Sequence, residues 1–164
     1  MIRIDISDKL TKTQRWTYIA RRFDSLADAE SDALAVLCNS MAFLYWTLGD
    51  VNWTGLYILR GSDLVLGSFA GKPACFRIPT GKGVCGQAAA LSEVQLVPDV
   101  EQFPGHIACD NASRSELVMP LFAHGKLWGV LDMDSPVLGR FDAEDAAAAA
   151  EVCAVLERVI ARLS

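Results

Sequence analysis

The stretch Val51-Asn52-Trp53-Thr54-Gly55-Leu56-Tyr57-Ile58-Leu59, closed by Gly61-Ser62-Asp63 and answered by Leu64-Val65-Leu66-Gly67-Ser68-Phe69, decides the fold. Both runs are rich in β-branched, aromatic and aliphatic residues, and the triplet between them supplies a tight turn, so together they predict an antiparallel hairpin. Glu116 to Ala123 and Leu127 to Met133 repeat the pattern around His124-Gly125-Lys126. Helical periodicity flanks the hairpins. From about Ser25 to Thr47, Leu26, Leu34, Leu37, Cys38, Met41 and Leu44 recur at helical spacings, and Gly49-Asp50 ends the run. Phe141-Asp142-Ala143-Glu144-Asp145 opens a last helix to about Leu163, with Asp142 as N-cap. Between the hairpins lie an irregular segment from Gly71 to Pro79, a short helix from Val84 to Leu91, a short strand from Val94 to Val97 and a long loop from Asp99 to Ser113. The predicted class is α+β: a central antiparallel sheet with N- and C-terminal helices packed on it.

The 164 residues suffice for one domain with a real core, and we expect a single unit over 1–164 in which residues 1–24 form an N-terminal extension. A net charge of −5 argues against nucleic-acid partners and against a polybasic membrane anchor. No apolar run reaches the ~20 residues that span a bilayer, and Asp5 falls where a signal peptide would turn apolar. The expectation is a cytoplasmic protein with reduced thiols.

Five cysteines are present: Cys38, Cys75, Cys85, Cys109 and Cys153. Cys38 and Cys153 fall in helical apolar patterns and are expected in the core. Cys75, Cys85 and Cys109 lie outside such patterns. They lack paired CxxC spacing, so a zinc set drawn from them and His106 is weak, and a cysteine–histidine dyad has only His106 and His124 to choose from. Thiol redox chemistry fits better, because it needs an activated thiolate and a second thiol within reach. Cys85, in the first turn of a helix and near Lys82, has a means of lowering its pKa; Cys109 sits on a loop that could move. These features alone do not say which thiol attacks first.

Carboxylates form a second group. Asp132 and Asp134 are two apart on a strand and face one side of the sheet, and Glu116 starts the partner strand. Three acids on one patch could grip an ammonium group, hold a metal, or keep a proton for general-acid work; a solvated strand end is the plain alternative. Trp53 and Tyr57, four apart on a strand, share a face and suit either a ligand wall or core packing.

Five segments together resemble free methionine-(R)-sulfoxide reductase, a stand-alone GAF-domain enzyme family. They are Gly71-Lys72-Pro73-Ala74-Cys75, Gly81-Lys82-Gly83-Val84-Cys85-Gly86, His106-Ile107-Ala108-Cys109-Asp110, Ser115-Glu116-Leu117-Val118 and Gly129-Val130-Leu131-Asp132-Met133-Asp134-Ser135-Pro136. The resemblance runs from about Asn52 to Asp145 and implies a GAF-like catalytic domain without a cofactor. It implies that Cys109 is the nucleophile and becomes a sulfenic acid, that Cys85 is the principal resolving cysteine, and that Cys75 is auxiliary. By the same resemblance Glu116, Asp132 and Asp134 hold the substrate's amino group and sulfoxide oxygen, Trp53 and Tyr57 enclose its methyl, and thioredoxin reduces the resulting disulfide. A homodimer through terminal helices is also implied, although the alanine run Ala146 to Ala150 would serve internal packing equally well. Two other functions compete: a GAF module that binds a small molecule without chemistry, and a thiol redox sensor.

Overall fold

Both hairpins form, and they join through one strand of each. The computed structural model describes residues 10–107 and 109–163. In it β1 (Trp53–Arg60) and β2 (Asp63–Gly71) make the first hairpin, and β5 (Ser115–Ala123) and β6 (Lys126–Ser135) the second. β1 pairs antiparallel with β6, setting Trp53 opposite Asp134 and Gly55 opposite Asp132. Short strands β3 (Arg77–Pro79) and β4 (Gln95–Val97) finish the edges in the order β3-β2-β1-β6-β5-β4. β3 falls in the segment expected to be irregular; it forms because β2 leaves an open edge, on which Leu64 meets Ile78 and Val65 meets Arg77.

Strand periodicity divides the interior in two. Leu56, Leu117, Met119, Leu131 and Met133 face α1 (Lys12–Ala29), α2 (Ala33–Leu48) and α4 (Ala143–Ile160), forming the larger core. Trp53, Tyr57, Val118 and Val130 face the other way, where α3 (Gly83–Leu91) adds Val84, Cys85 and Ala88. Glu116, Asp132 and Asp134 share the phase of Val118 and Val130, so they point toward α3 and the loops beside it.

The single helix expected from Ser25 to Thr47 is two helices. Glu30-Ser31-Asp32 interrupts it: the Glu30 carboxylate accepts from the Asp32 amide at 2.8 Å, and Asp32 caps α2 by accepting from the Ala35 amide at 2.9 Å. Reading one periodicity across that break put Leu34 and Cys38 in the wrong phase. Leu34 is 60% exposed, and Cys38 is exposed with its Sγ 3.2 Å from Ser68 Oγ. Cys153 is buried in the larger core, as expected.

Residues 12–24, assigned from sequence to an extension, instead form most of α1; residues 1–9 lie outside the described residues. A Thr11–Gln14 capping box opens the helix, and Trp16, Ile19, Ala20, Phe23 and Ala27 bury its inner stripe. The Trp16 indole donates to buried Asp145 at 2.9 Å. Lys12 pairs with Asp142 at the start of α4 and Asp24 pairs with Arg158 near its end, so α1 and α4 run parallel. Asp142 caps α4 as predicted, accepting from the Glu144 and Asp145 amides. Of the alanine run, Ala149 is fully buried and Ala146 and Ala148 pack against the same core, which is internal packing.

Candidate active site

The second face of the sheet carries a pocket under α3. Its floor comes from β1, β5 and β6, and its rim from the segments before β3 and before β5. Trp53, Tyr57, Cys85, Cys109, Glu116, Asp132 and Asp134 all line it, as do Lys72, His106 and Asp110. Cys75 lies at the rim, tied to Cys109 by a disulfide.

Trp53 and Tyr57 form the apolar wall. Their rings stack with centroids 5.8 Å apart, and Phe69 stacks on the outer side of Trp53 at 5.6 Å. Gly55 makes room for this arrangement: a Cβ there would lie 2.2 Å from Cη2 of the Trp53 ring. The polar ends of both aromatics reach the rim. Trp53 Nε1 donates to the Lys72 carbonyl oxygen at 3.1 Å, and the Tyr57 hydroxyl donates to the Cys75 carbonyl oxygen at 2.9 Å. The wall therefore fixes the segment that presents Cys75.

The segment that presents Cys109 is held from the opposite side. Asp110 pairs with Lys72 at 3.3 Å and accepts from Asn52 Nδ2 at 3.4 Å, while Asn52 also donates to Ser113 Oγ at 3.1 Å. The Ala112 amide, followed by Lys72, holds the Asp110 carboxyl below the usual range. Asp110 is thus a charged clasp across the two thiol-bearing segments.

The floor is acidic. Glu116 and Asp132 are each 5% exposed, and β5–β6 register sets Glu116 opposite Asp134. Burial first, and the neighbouring carboxylates second, push Glu116 and Asp134 well above the usual carboxylate range. Burial raises Asp132 to about 6, less than the others because Cys85, Glu116 and the Met133 amide supply hydrogen bonds that favour its charged form. One of its oxygens, Oδ1, is buried without a hydrogen-bond partner among the described residues. His106 lies 3.9 Å from Glu116, and burial lowers its pKa, so it adds little positive charge. Glu116 and Asp134 therefore favour their protonated forms more than solvated carboxyls do.

The residues of Cys85 correct two expectations. Its thiol is not activated: burial, then Asp132 and Glu116, push it well up, outweighing the helix N-terminus and exposed Lys82. It is also free, with Sγ 3.8 Å from Glu116 Oε1, while Cys109 is bonded to Cys75. Cys85 points down into the acids, whereas the clasped rim segments bring Cys75 and Cys109 together. The disulfide also removes two ligands from the zinc set weighed from sequence.

The GAF domain family profile matches residues 22–160. The free methionine-R-sulfoxide reductase of Escherichia coli K12 is 49% identical over 152 residues, covering 93% of this chain and 92% of that protein. The chain belongs to the GAF-domain family of free methionine-R-sulfoxide reductases. The yeast free methionine-R-sulfoxide reductase, from Saccharomyces cerevisiae, is 39% identical over 150 residues, covering 87% of this chain and 83% of that protein. Among solved structures, the free methionine-R-sulfoxide reductase of Neisseria meningitidis in complex with its substrate superposes with a TM-score of 0.92 at 38% identity, over 99% of this chain and 97% of that one.

Within this reductase-family scaffold, sequence reasoning overlooked Asn52, Lys72, Asp110 and Ser113. Asp110 had a signal, since it follows Cys109 directly in a loop poor in apolar residues. Lys72 stood in the quoted segment that ends on Cys75, but Asn52 had no signal, because its partners Asp110 and Ser113 are distant in the chain.

Proposed function

We propose that this protein reduces free methionine (R)-sulfoxide to methionine, with Cys109 as nucleophile and Cys75 as the resolving thiol. The observation that carries this reading is the meeting, in one pocket, of a disulfide-bonded pair of cysteines at the rim and three carboxyls on the floor whose pKa values are all raised. The names of the relatives support the same activity.

Cys109 sulfur attacks the sulfoxide sulfur while a protonated carboxyl of the floor delivers a proton to the oxygen, which leaves a poor electrophile no longer so poor. The transient bond between the two sulfurs then breaks as the oxygen passes from the substrate sulfur to Cys109, so methionine departs with its sulfur reduced and Cys109 carries the oxygen as a sulfenic acid. The Cys75 thiol displaces that oxygen as water, forming the Cys75–Cys109 bond. A dithiol then returns two electrons and two protons; thioredoxin is the reductant we assign. The Trp53–Tyr57 wall suits the substrate methyl, and Glu116, Asp132 and Asp134 suit the α-ammonium and the sulfoxide oxygen. A methionine sulfoxide within a polypeptide has no such ammonium, which favours the free amino acid. We further assign the enzyme to the cytoplasm, where a dithiol reductant is abundant, with the whole chain as catalytic unit and a homodimer as its assembled form. Among the described residues no helix is long and apolar enough to cross a membrane.

Turnover with dithiothreitol and the separated epimers of free methionine sulfoxide tests the proposal. Reduction of the (R) epimer and not the (S) epimer is expected. Absence of turnover with either, in a chain whose thiols still cycle, would leave a redox sensor as the better description.

A further inference from the structure

The Cys75–Cys109 disulfide leaves Cys85 a free thiol. It nevertheless lies fully buried at the base of the pocket, 3.8 Å from Glu116 Oε1. One oxygen or sulfur from each of Cys85, Glu116 and Asp132 falls within 4.8 Å of the others. A second observation points to a ligand there: Asp132, 5% exposed and lining the pocket, keeps Oδ1 buried with no hydrogen-bond partner among the described residues.

We propose that Cys85, Glu116 and Asp132 form an inhibitory site for a thiophilic divalent cation, zinc being the natural representative, at the floor of the substrate pocket. One sulfur and two carboxylate oxygens are a zinc-like donor set, and the sulfur disfavours magnesium and calcium. Tetrahedral zinc, with bonds of about 2.3 Å to sulfur and about 2.0 Å to oxygen, needs its ligands roughly 3.3–3.6 Å apart. The Cys85–Glu116 separation already comes close to that, and small carboxylate rotations supply the remainder. Three protein ligands leave a fourth position facing the pocket. Binding forms metal–sulfur and metal–oxygen bonds and releases to solvent the Cys85 proton together with any proton held by Glu116 or Asp132, with no change in oxidation state. A divalent ion also compensates the gathered negative charge more fully than a single ammonium does. The ion would therefore compete with an amino acid substrate, a clause that rests on the function proposed above; the metal site itself does not.

The test is a cadmium titration of the full chain with its Cys75–Cys109 disulfide intact, following the ultraviolet thiolate-to-cadmium charge-transfer band. One cadmium per chain is expected, displaced by zinc. Cys85→Ser should abolish the band. Asp132→Asn, which removes a buried charge and should fold readily, should weaken binding at least about tenfold. Cys38→Ser, at an exposed thiol outside the pocket, should change nothing. A missing band, a band that survives Cys85→Ser, or one that vanishes with Cys38→Ser overturns the site. Turnover of free methionine sulfoxide is measured separately on the metal-free chain. An intact band without turnover upholds the site and counts instead against the reductase reading.

Discussion

The Tyr57 hydroxyl donates to the carbonyl oxygen of Cys75 at 2.9 Å, so a side chain of the pocket wall holds the backbone of a disulfide cysteine. Tyr57→Phe keeps the ring and its stacking on Trp53 but frees that carbonyl. A lost hydrogen bond of about 1 kcal/mol corresponds to roughly fivefold. We expect methionine release in the first turnover to be nearly normal and closure of the disulfide to slow by about that factor. Rapid-quench counts of methionine and of free thiols separate the two steps; slowing of both alike would contradict the assignment.

The three pocket cysteines should behave differently. Cys109→Ser should abolish turnover with any reductant. Cys75→Ser should release about one methionine per chain and then stop unless a small thiol attacks the sulfenic acid directly. Cys85→Ser should still form the Cys75–Cys109 disulfide, as peptide mapping by mass spectrometry would show. A disulfide to Cys85 in the native chain after one turnover would restore the pairing expected from sequence.

Asp134→Asn separates chemistry from stability. Removing one of three crowded carboxyls should leave thermal stability unchanged or slightly raised, while the rate falls by about two orders of magnitude, the scale of a lost general acid or its partner. N-acetylated methionine sulfoxide, which lacks the ammonium, should be a poor substrate for the unmodified chain. Normal kinetics on it would detach the acids from amino-group recognition.

The same carboxyls set a pH dependence. Burial raises Glu116, Asp132 and Asp134, Asp132 to about 6, whereas in the unfolded chain such groups ionise near pH 4. The folded state binds protons that the unfolded state has lost, so their contribution to stability is full below about pH 4 and is lost as pH rises through the folded values. The Tm of the disulfide-intact chain should therefore fall as pH rises from about 4 through the Asp132 value of about 6, and Asp134→Asn should flatten the fall. A Tm rising across that window would contradict the assigned protonation.

Gly55→Ala tests the wall. The added methyl meets the Trp53 ring, so the indole must move, at a cost of about 1–3 kcal/mol. The near-ultraviolet circular dichroism of the stacked aromatics should weaken, and KM should rise more than kcat falls. An unaltered aromatic signal would show that Trp53 adapts without losing its place.

Much of this site was legible because strand periodicity is local. The two-residue spacing of Asp132 and Asp134 and the four-residue spacing of Trp53 and Tyr57 each settle a shared face before any partner is known. The capping chemistry of Asp142 is equally local. Cys85 was misread because position in a helix's first turn says where the dipole lies, not which way the side chain turns or how deeply it is buried. The pairing of Cys109 with Cys75 and not with Cys85 goes with the Tyr57 and Asp110 tethers, which join segments far apart in the chain. α1 was overlooked although Trp16, Ile19, Phe23 and Ala27 mark its stripe, because the charged residues among them dilute the apolar signal.

The pairing of β1 with β6 also governs when the site comes into being. Each hairpin can zip on its own within microseconds, yet neither contains a pocket: the aromatics belong to one and the acids to the other. Only closure of the long chain segment between them, a slow step in antiparallel folds, sets Trp53 opposite Asp134. A nascent chain still missing its last hairpin thus carries its three pocket cysteines without the acids that face them, and the complete pocket arrives in one step with the native sheet.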